Sequence, residues 1–206
     1  MQKIHLQFVH PDLKVCKIYR ARFSSVAQVE IHPCPFEKLP PHNCFVTAGN
    51  AYGIMTAGID AAVIGFFGQE LMGRVQTRIL DDYLGEQPVG SAFVLETGHA
   101  GIPFLCHSPT MRTPGSIEGT EKVYIATWAA LLSIYQFNID SARKIETVCF
   151  PAMGAGFGGV PYEESARQMA VAFEHFLNLP HRTPDWEWVA ARQRKIFYDG
   201  SRRMCK

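Results

Sequence analysis

Pro151-Ala152-Met153-Gly154-Ala155-Gly156-Phe157-Gly158-Gly159-Val160-Pro161 sets four glycines within six residues, between a predicted strand (Ile145 to Phe150) and a predicted helix (Glu163 to Leu177). So little side-chain bulk lets backbone N–H groups turn inward around an anion. The helix start adds its positive end. No Gly-Lys-Ser/Thr follows, so this is not a Walker A loop, and Gly154-x-Gly156-x-Gly158 has the wrong third spacing for the dinucleotide fingerprint. The alternative is that these glycines only make tight turns with positive φ.

A second stretch has the same design. Val46 to Asp60 begins in a short apolar strand (Cys44 to Ala48), passes Gly49, Gly53 and Gly58, and enters a helix predicted over Ile59 to Phe67. Ligands of open α/β sheets collect at the carboxyl ends of strands, so two such loops point to a phosphate-bearing ligand. The rest of the chain alternates in kind. Strands are predicted at Ile4 to Val9, Val26 to Ile31, Val89 to Glu96 and Phe104 to His107. Helices are predicted at Leu13 to Phe23 (with Asp12 as N-cap), Leu71 to Leu84 and Glu121 to Phe137. Trp186 to Gln193 reads as helix and Ile196 to Tyr198 as a final strand. Short apolar strands alternating with helices give an α/β layered domain.

Composition bounds the function. The 206 residues are 47% hydrophobic and 19% charged, with a formal net charge of +1. That excludes a disordered or fibrous chain, and so even a balance lacks the footprint of a nucleic-acid binder. No run approaches the ~18 apolar residues of a membrane span. The six cysteines show no C-x2-C pair, and no leader is evident at the N-terminus, so reduced thiols in a cytoplasmic protein are expected. His99 and His107 lack partners at ligand spacing, so no metal is expected. Six basic residues between Arg192 and Lys206 read as a solvated face.

The two loops together resemble the macro domain, the ADP-ribose-binding module. The family's strand ending Val-Asn-Ala-Ala-Asn, its glycine run and its Val-Asp correspond to Val46-Thr47-Ala48-Gly49-Asn50 and Thr56-Ala57-Gly58-Ile59-Asp60. Its Pro-Ala-Ile-Gly-Thr-Gly and Gly-x-Pro correspond to Pro151–Gly156 and Gly159–Pro161. Phe104 to Pro109 resembles its Ile-His-x-x-x-Pro stretch more weakly. Gly53 to Asp60 and Pro109 to Pro114 resemble a divergent bacterial or phage-type branch. The resemblance covers about residues 26–180 and implies a three-layer α/β/α sandwich with a mixed central sheet. Residues 1–206 are then one domain, with an N-terminal strand–helix unit and a C-terminal extension packed on the core.

The resemblance also assigns roles. Asn50 would contact the distal ribose of ADP-ribose, and Asp60 would orient or activate water against the anomeric carbon. Gly154, Ala155, Gly156, Phe157 and Gly158 would wrap the diphosphate. Gly58, Ile59, Tyr52 and Pro109 complete the expected ligand contacts. Counting back the family's ~14 residues from Asn50 places Phe36 where an adenine-reading Asp usually stands, with Glu37 adjacent. Thr47, Thr56, Ala57 and Gly158 depart from the family pattern. Read from the residues alone, Asp60 is equally a helix-capping or first-turn acid, and Asn50 a turn residue bonding nearby backbone. Tyr52, Tyr162 and Arg112 have structural readings beside a ligand-contact one. No cofactor is expected, and the expected partner is ADP-ribose or an ADP-ribosylated substrate. Three functions stay open: hydrolysis of an ADP-ribosyl linkage, binding without turnover, and a macro-like domain of a phage or structural assembly with another ligand.

Overall fold

The computed structural model describes residues 4–24, 26, 28–181 and 183–200. Cys205 and the basic residues Arg202, Arg203 and Lys206 lie outside them. In chain order the elements are β1 (His5–Val9), α1 (Leu13–Phe23), β2 (Val29–His32), β3 (Cys44–Thr47), α2 (Gly58–Phe67), α3 (Glu70–Tyr83) and β4 (Phe93–Glu96). They continue with β5 (Phe104–His107), α4 (Lys122–Asp140), β6 (Thr147–Phe150), α5 (Tyr162–Leu177) and α6 (Trp186–Ile196). Asp12 caps α1, accepting the Lys14 N–H at 2.7 Å. Gly68, at φ 95°, separates α2 from α3.

The strands form one sheet in the order β2-β1-β6-β3-β5-β4. Only β4, at an edge, runs antiparallel to its neighbour. Side chains alternate between two cores, as the period of a strand requires. Cys44, Val46, Phe104, Cys106, Val148 and Phe150 face α1, α4 and α5. Phe45, Leu105 and Cys149 face α2 and α3. The result is the three-layer α/β/α arrangement, and because β3 and β5 are buried on both faces they read as continuous apolar runs.

One predicted strand is corrected. Ile196 is the last residue of α6, buried against Tyr124 and Ala172, and Tyr198–Gly200 is a 3-10 turn. The helix is held by Arg192, whose guanidinium lies 4.7 Å from the Trp128 ring and 5.2 Å from the Trp188 ring. It also donates to the Tyr124 hydroxyl at 3.2 Å. The strand predicted from Val89 begins only at Phe93. Among the described residues no helix is long and apolar enough to cross a membrane, and Cys16, Cys34, Cys44, Cys106 and Cys149 are free thiols.

Candidate functional site

Because β2, β1, β6, β3 and β5 are parallel, their carboxyl ends share one edge of the sheet. A cleft of about 590 Å³ runs along that edge. Its walls follow the strand order: Val9–Pro11 and Cys34–Glu37 after β1 and β2, Pro151–Gly158 after β6, Ala48–Asp60 after β3, and Thr110–Pro114 after β5. The cleft brings together the predicted residues 58–60 and 154–158 with Asn50, Tyr52, Phe36 and Glu37. Pro109 is not on its wall: it is buried, and Thr110 and Met111 line the cleft instead. Phe36 is almost wholly packed, against Phe45, Phe66 and Phe67, so it forms floor more than contact surface. Glu37 is exposed.

The loop after β6 is shaped around its backbone. Ala155, Gly159 and Val160 donate to carbonyls of the same loop. Among the described residues no protein acceptor takes the N–H of Gly156, Phe157 or Gly158. Across the cleft, α2 begins with Ala57 at its cap position and no side-chain cap, leaving the N–H groups of its first turn exposed to an anion. The first turn of α5 carries Glu163 and Glu164, so the helix that follows the β6 loop supplies its own negative charge. The Phe157 ring reaches over the start of α2, 3.5 Å from where a Cβ on Gly58 would stand.

Asp60 sits in the first turn of α2, but its side chain does not cap the helix. It turns back to the end of β3 and accepts a hydrogen bond from the Thr47 hydroxyl. Asp60 is 6% exposed. Burial pushes its carboxyl up to about 6, against the smaller opposing effect of the Thr47 bond. The group therefore changes protonation close to neutral pH while lining the cleft, the combination expected of an acid–base residue. Asn50 organises its own loop: its Nδ2 donates to the Ile54 carbonyl at 2.8 Å, and its Oδ1 accepts from the Tyr52 and Ile54 N–H groups.

Two further groups frame the β3 side. Arg112 is not free for a phosphate. It makes a two-pronged pair with Glu86 at 2.5 and 2.8 Å and lies 5.6 Å from the Tyr52 ring. The Tyr52 hydroxyl also donates to Glu86. His107, fully buried, bonds Gln87 through Nδ1 at 2.6 Å, and burial lowers its pKa to about 4. A Cβ on Gly49 would lie 2.5 Å from His107 Nε2, so the imidazole occupies the space a side chain would need there. His99 binds the N–H groups of Gly101 and Ile102 in its own turn.

The Macro domain family model matches residues 46–169, from β3 into α5. The chain belongs to the macro domain family. An uncharacterized protein of Aquifex aeolicus is 30% identical over 131 residues, which is 64% of this chain and 72% of that protein. An uncharacterized protein of Aeropyrum pernix is 39% identical over 85 residues, 41% of this chain and 42% of its own length. Among solved structures, the macrodomain of Mycobacterium tuberculosis DarG has a TM-score of 0.54 at 21% identity, covering 65% of this chain and 82% of its own. The Oceanobacillus iheyensis macrodomain with ADP has a TM-score of 0.56 at 19% identity, covering 75% and 83%. These likenesses establish the shared fold. Macro domains are ADP-ribose-binding modules. Within the macro domain pattern, Gly49 follows from the position of His107. Gly158 follows from the turn itself, where a Cβ would stand 2.3 Å from the Gly154 carbonyl oxygen.

Sequence reasoning missed Val9, His10, Cys34, Thr110 and Thr113 as cleft residues. The signal was available: each ends or follows a predicted strand at its carboxyl end. The Thr47–Asp60 bond had no local signal, because the partners lie on different elements.

Proposed function

We propose that this macro domain binds ADP-ribose along the cleft and hydrolyses an ADP-ribosyl linkage. The observation that carries the reading is the buried Asp60 carboxyl, poised near neutral pH beside the uncapped start of α2 and facing three unengaged N–H groups across the cleft. In this reading the diphosphate accepts from Gly156, Phe157 and Gly158 and from the first turn of α2. The distal ribose lies toward β3, with its anomeric carbon near Asp60. Cleavage of the bond to the anomeric carbon leaves the electron pair on the departing group and develops positive charge on the sugar. A nearby carboxylate stabilises that charge. Asp60 takes a proton from the attacking water as its oxygen bonds the carbon. Thr47 holds the carboxyl in place from behind.

The test is release of free ADP-ribose from a mono-ADP-ribosylated protein, followed by chromatography. Asp60→Asn should lower the rate by ~10²–10⁴ and leave ADP-ribose affinity within a few fold. Unchanged turnover in Asp60→Asn rejects the role. A second reading, binding without turnover, is favoured by Asn50, whose amide is already bonded to its own loop. It is the reading left if the wild-type protein binds ADP-ribose and releases none from any linkage.

A further inference from the structure

Helix α4 lacks the charged outer face that a surface helix ordinarily carries. From Val123 to Ile139 it has no charged residue, whereas α1, α3, α5 and α6 each hold four or five. One side of α4 packs on the sheet and α5. The other presents Ile125, Leu132 and Ile139, which are 37%, 39% and 53% exposed and belong to no core. Trp128 and Tyr135, half-buried, flank them. Positions 125, 128, 132, 135 and 139 alternate three and four apart, the seven-residue repeat by which one helix packs along another. None of them lines the ligand cleft.

The order of residues along the helix says what covers this face. In an antiparallel pair of identical helices about a two-fold axis, residues equidistant from the axis meet. Ile125 and Ile139 are equidistant from Leu132, and Trp128 and Tyr135 from the midpoint of Leu131 and Leu132. Lys122 and Asp140, the charged residues that close the helix, are equidistant from Leu131. They also stand on the same side, because the 18 residues between them make about five turns at ~3.6 per turn. Among the described residues neither takes part in an ion pair. The apolar pairs and the charged pair therefore share one centre, and a second copy would bring Lys122 beside the partner's Asp140 at both ends of the seam. A lipid surface requires no such relation between the ends.

We infer that α4 is a self-association surface: two copies of this chain pair through it, antiparallel, about a two-fold axis at Leu131–Leu132. Leu132 then meets the partner's Leu132, and Ile125 the partner's Ile139. From Ile125 to Ile139 the seam is about 21 Å long at ~1.5 Å per residue. A contact one helix long belongs to the weak, reversible class that buries less than ~1,200 Å², so the pair forms and separates with concentration.

Sedimentation velocity of the full chain from about 1 µM to about 1 mM tests this, with circular dichroism to check folding. The wild type should pass from monomer to dimer within that range. Leu132→Glu alters an exposed position, so it should keep the fold. It should stay monomeric throughout, because it sets two carboxylates face to face at the axis. Lys122→Asp puts like charges together at both ends of the seam and should weaken association about fivefold or more. Adding Asp140→Lys to Lys122→Asp should restore the wild-type dissociation constant within about threefold. A wild type that remains monomeric overturns the inference, and binding of that monomer to phosphatidylcholine vesicles would assign the face to lipid instead. A folded Leu132→Glu that still dimerises also overturns it, as does a Lys122→Asp defect that Asp140→Lys fails to repair. None of these readouts depends on ADP-ribose, so the outcome is separate from that of the ligand reading.

Discussion

In the loop after β6, a Cβ on Gly158 would stand 2.3 Å from the Gly154 carbonyl oxygen, and one on Gly154, at φ 70°, would stand 2.7 Å from Val123. In the loop after β3, the corresponding work is done by side chains: Asn50 bonds the Ile54 backbone, Thr47 bonds Asp60, and Tyr52 bonds Glu86. The first loop is fixed by the absence of side chains, and among the described residues the N–H groups of Gly156, Phe157 and Gly158 have no protein acceptor. The second is fixed by polar side chains that bond its backbone and one another. A surface shaped by excluded bulk suits a ligand that contacts backbone. A surface shaped by held side chains suits chemistry, where a group must be kept in one orientation.

The contrast breaks most sharply at Gly158. Gly158→Ala places a methyl against backbone that cannot move aside, and should cost roughly 3 kcal/mol or more together with ligand affinity. Gly156→Ala, in the same loop, meets nothing within 4 Å. It should stay within about 0.5 kcal/mol of the wild type. Chemical denaturation of the two variants side by side is the measurement. Equal losses in both would mean that exclusion of bulk is not what shapes this loop.

At Asp60 the expected effect is a gain. The unfolded carboxyl ionises near pH ~4, and the folded one at about 6. Between those values the folded chain holds the extra proton, so stability falls as pH rises through the window and stays lower above it. Asp60→Asn removes the ionisation while retaining an acceptor for Thr47. It should exceed the wild type by about 2–3 kcal/mol at pH 8 and match it below pH ~4. Thermal melts across pH provide the check. A loss of roughly 1 kcal/mol at every pH, as for a deleted helix cap, would contradict the geometry.

The smallest effect is at Asn50. Asn50→Ala removes three loop bonds on a part-exposed residue and should cost about 1–2 kcal/mol. Hydrogen exchange should speed up at Tyr52 and Ile54 and stay unchanged at Gly159 and Val160. Exchange that quickens equally in both loops would show that they are not held independently.

The α/β layering was legible because the buried parallel strands are short apolar runs punctuated by glycine and proline. The segment Ile196 to Tyr198 misled because it has strand-like composition, while Arg192 between two tryptophans docks α6 through Ile196 and a 3-10 turn follows at Tyr198. That the two loops would meet along one cleft was legible from glycine spacing and strand ends. The state of their side chains was not. Position alone left Asp60 open between a helix cap and a site carboxylate, because its partner Thr47 lies on another element. The pairing of Arg112 had no local signal either, because Glu86 is remote in sequence. Pro109 was placed one residue short of the wall that Thr110 forms.

The place of β1 in the sheet bears on how the protein is made. It is synthesised before the other strands of the sheet, yet it lies inside the sheet between β2 and β6, with His5 in register with Thr147. β3 likewise waits for β6 on one side. Until residue 150 has left the ribosome, both strands show a bare inner edge, the feature that invites pairing with other chains. The arrival of one four-residue strand closes both edges and joins the two halves of the cleft. The cleft therefore cannot be complete before β6 has emerged.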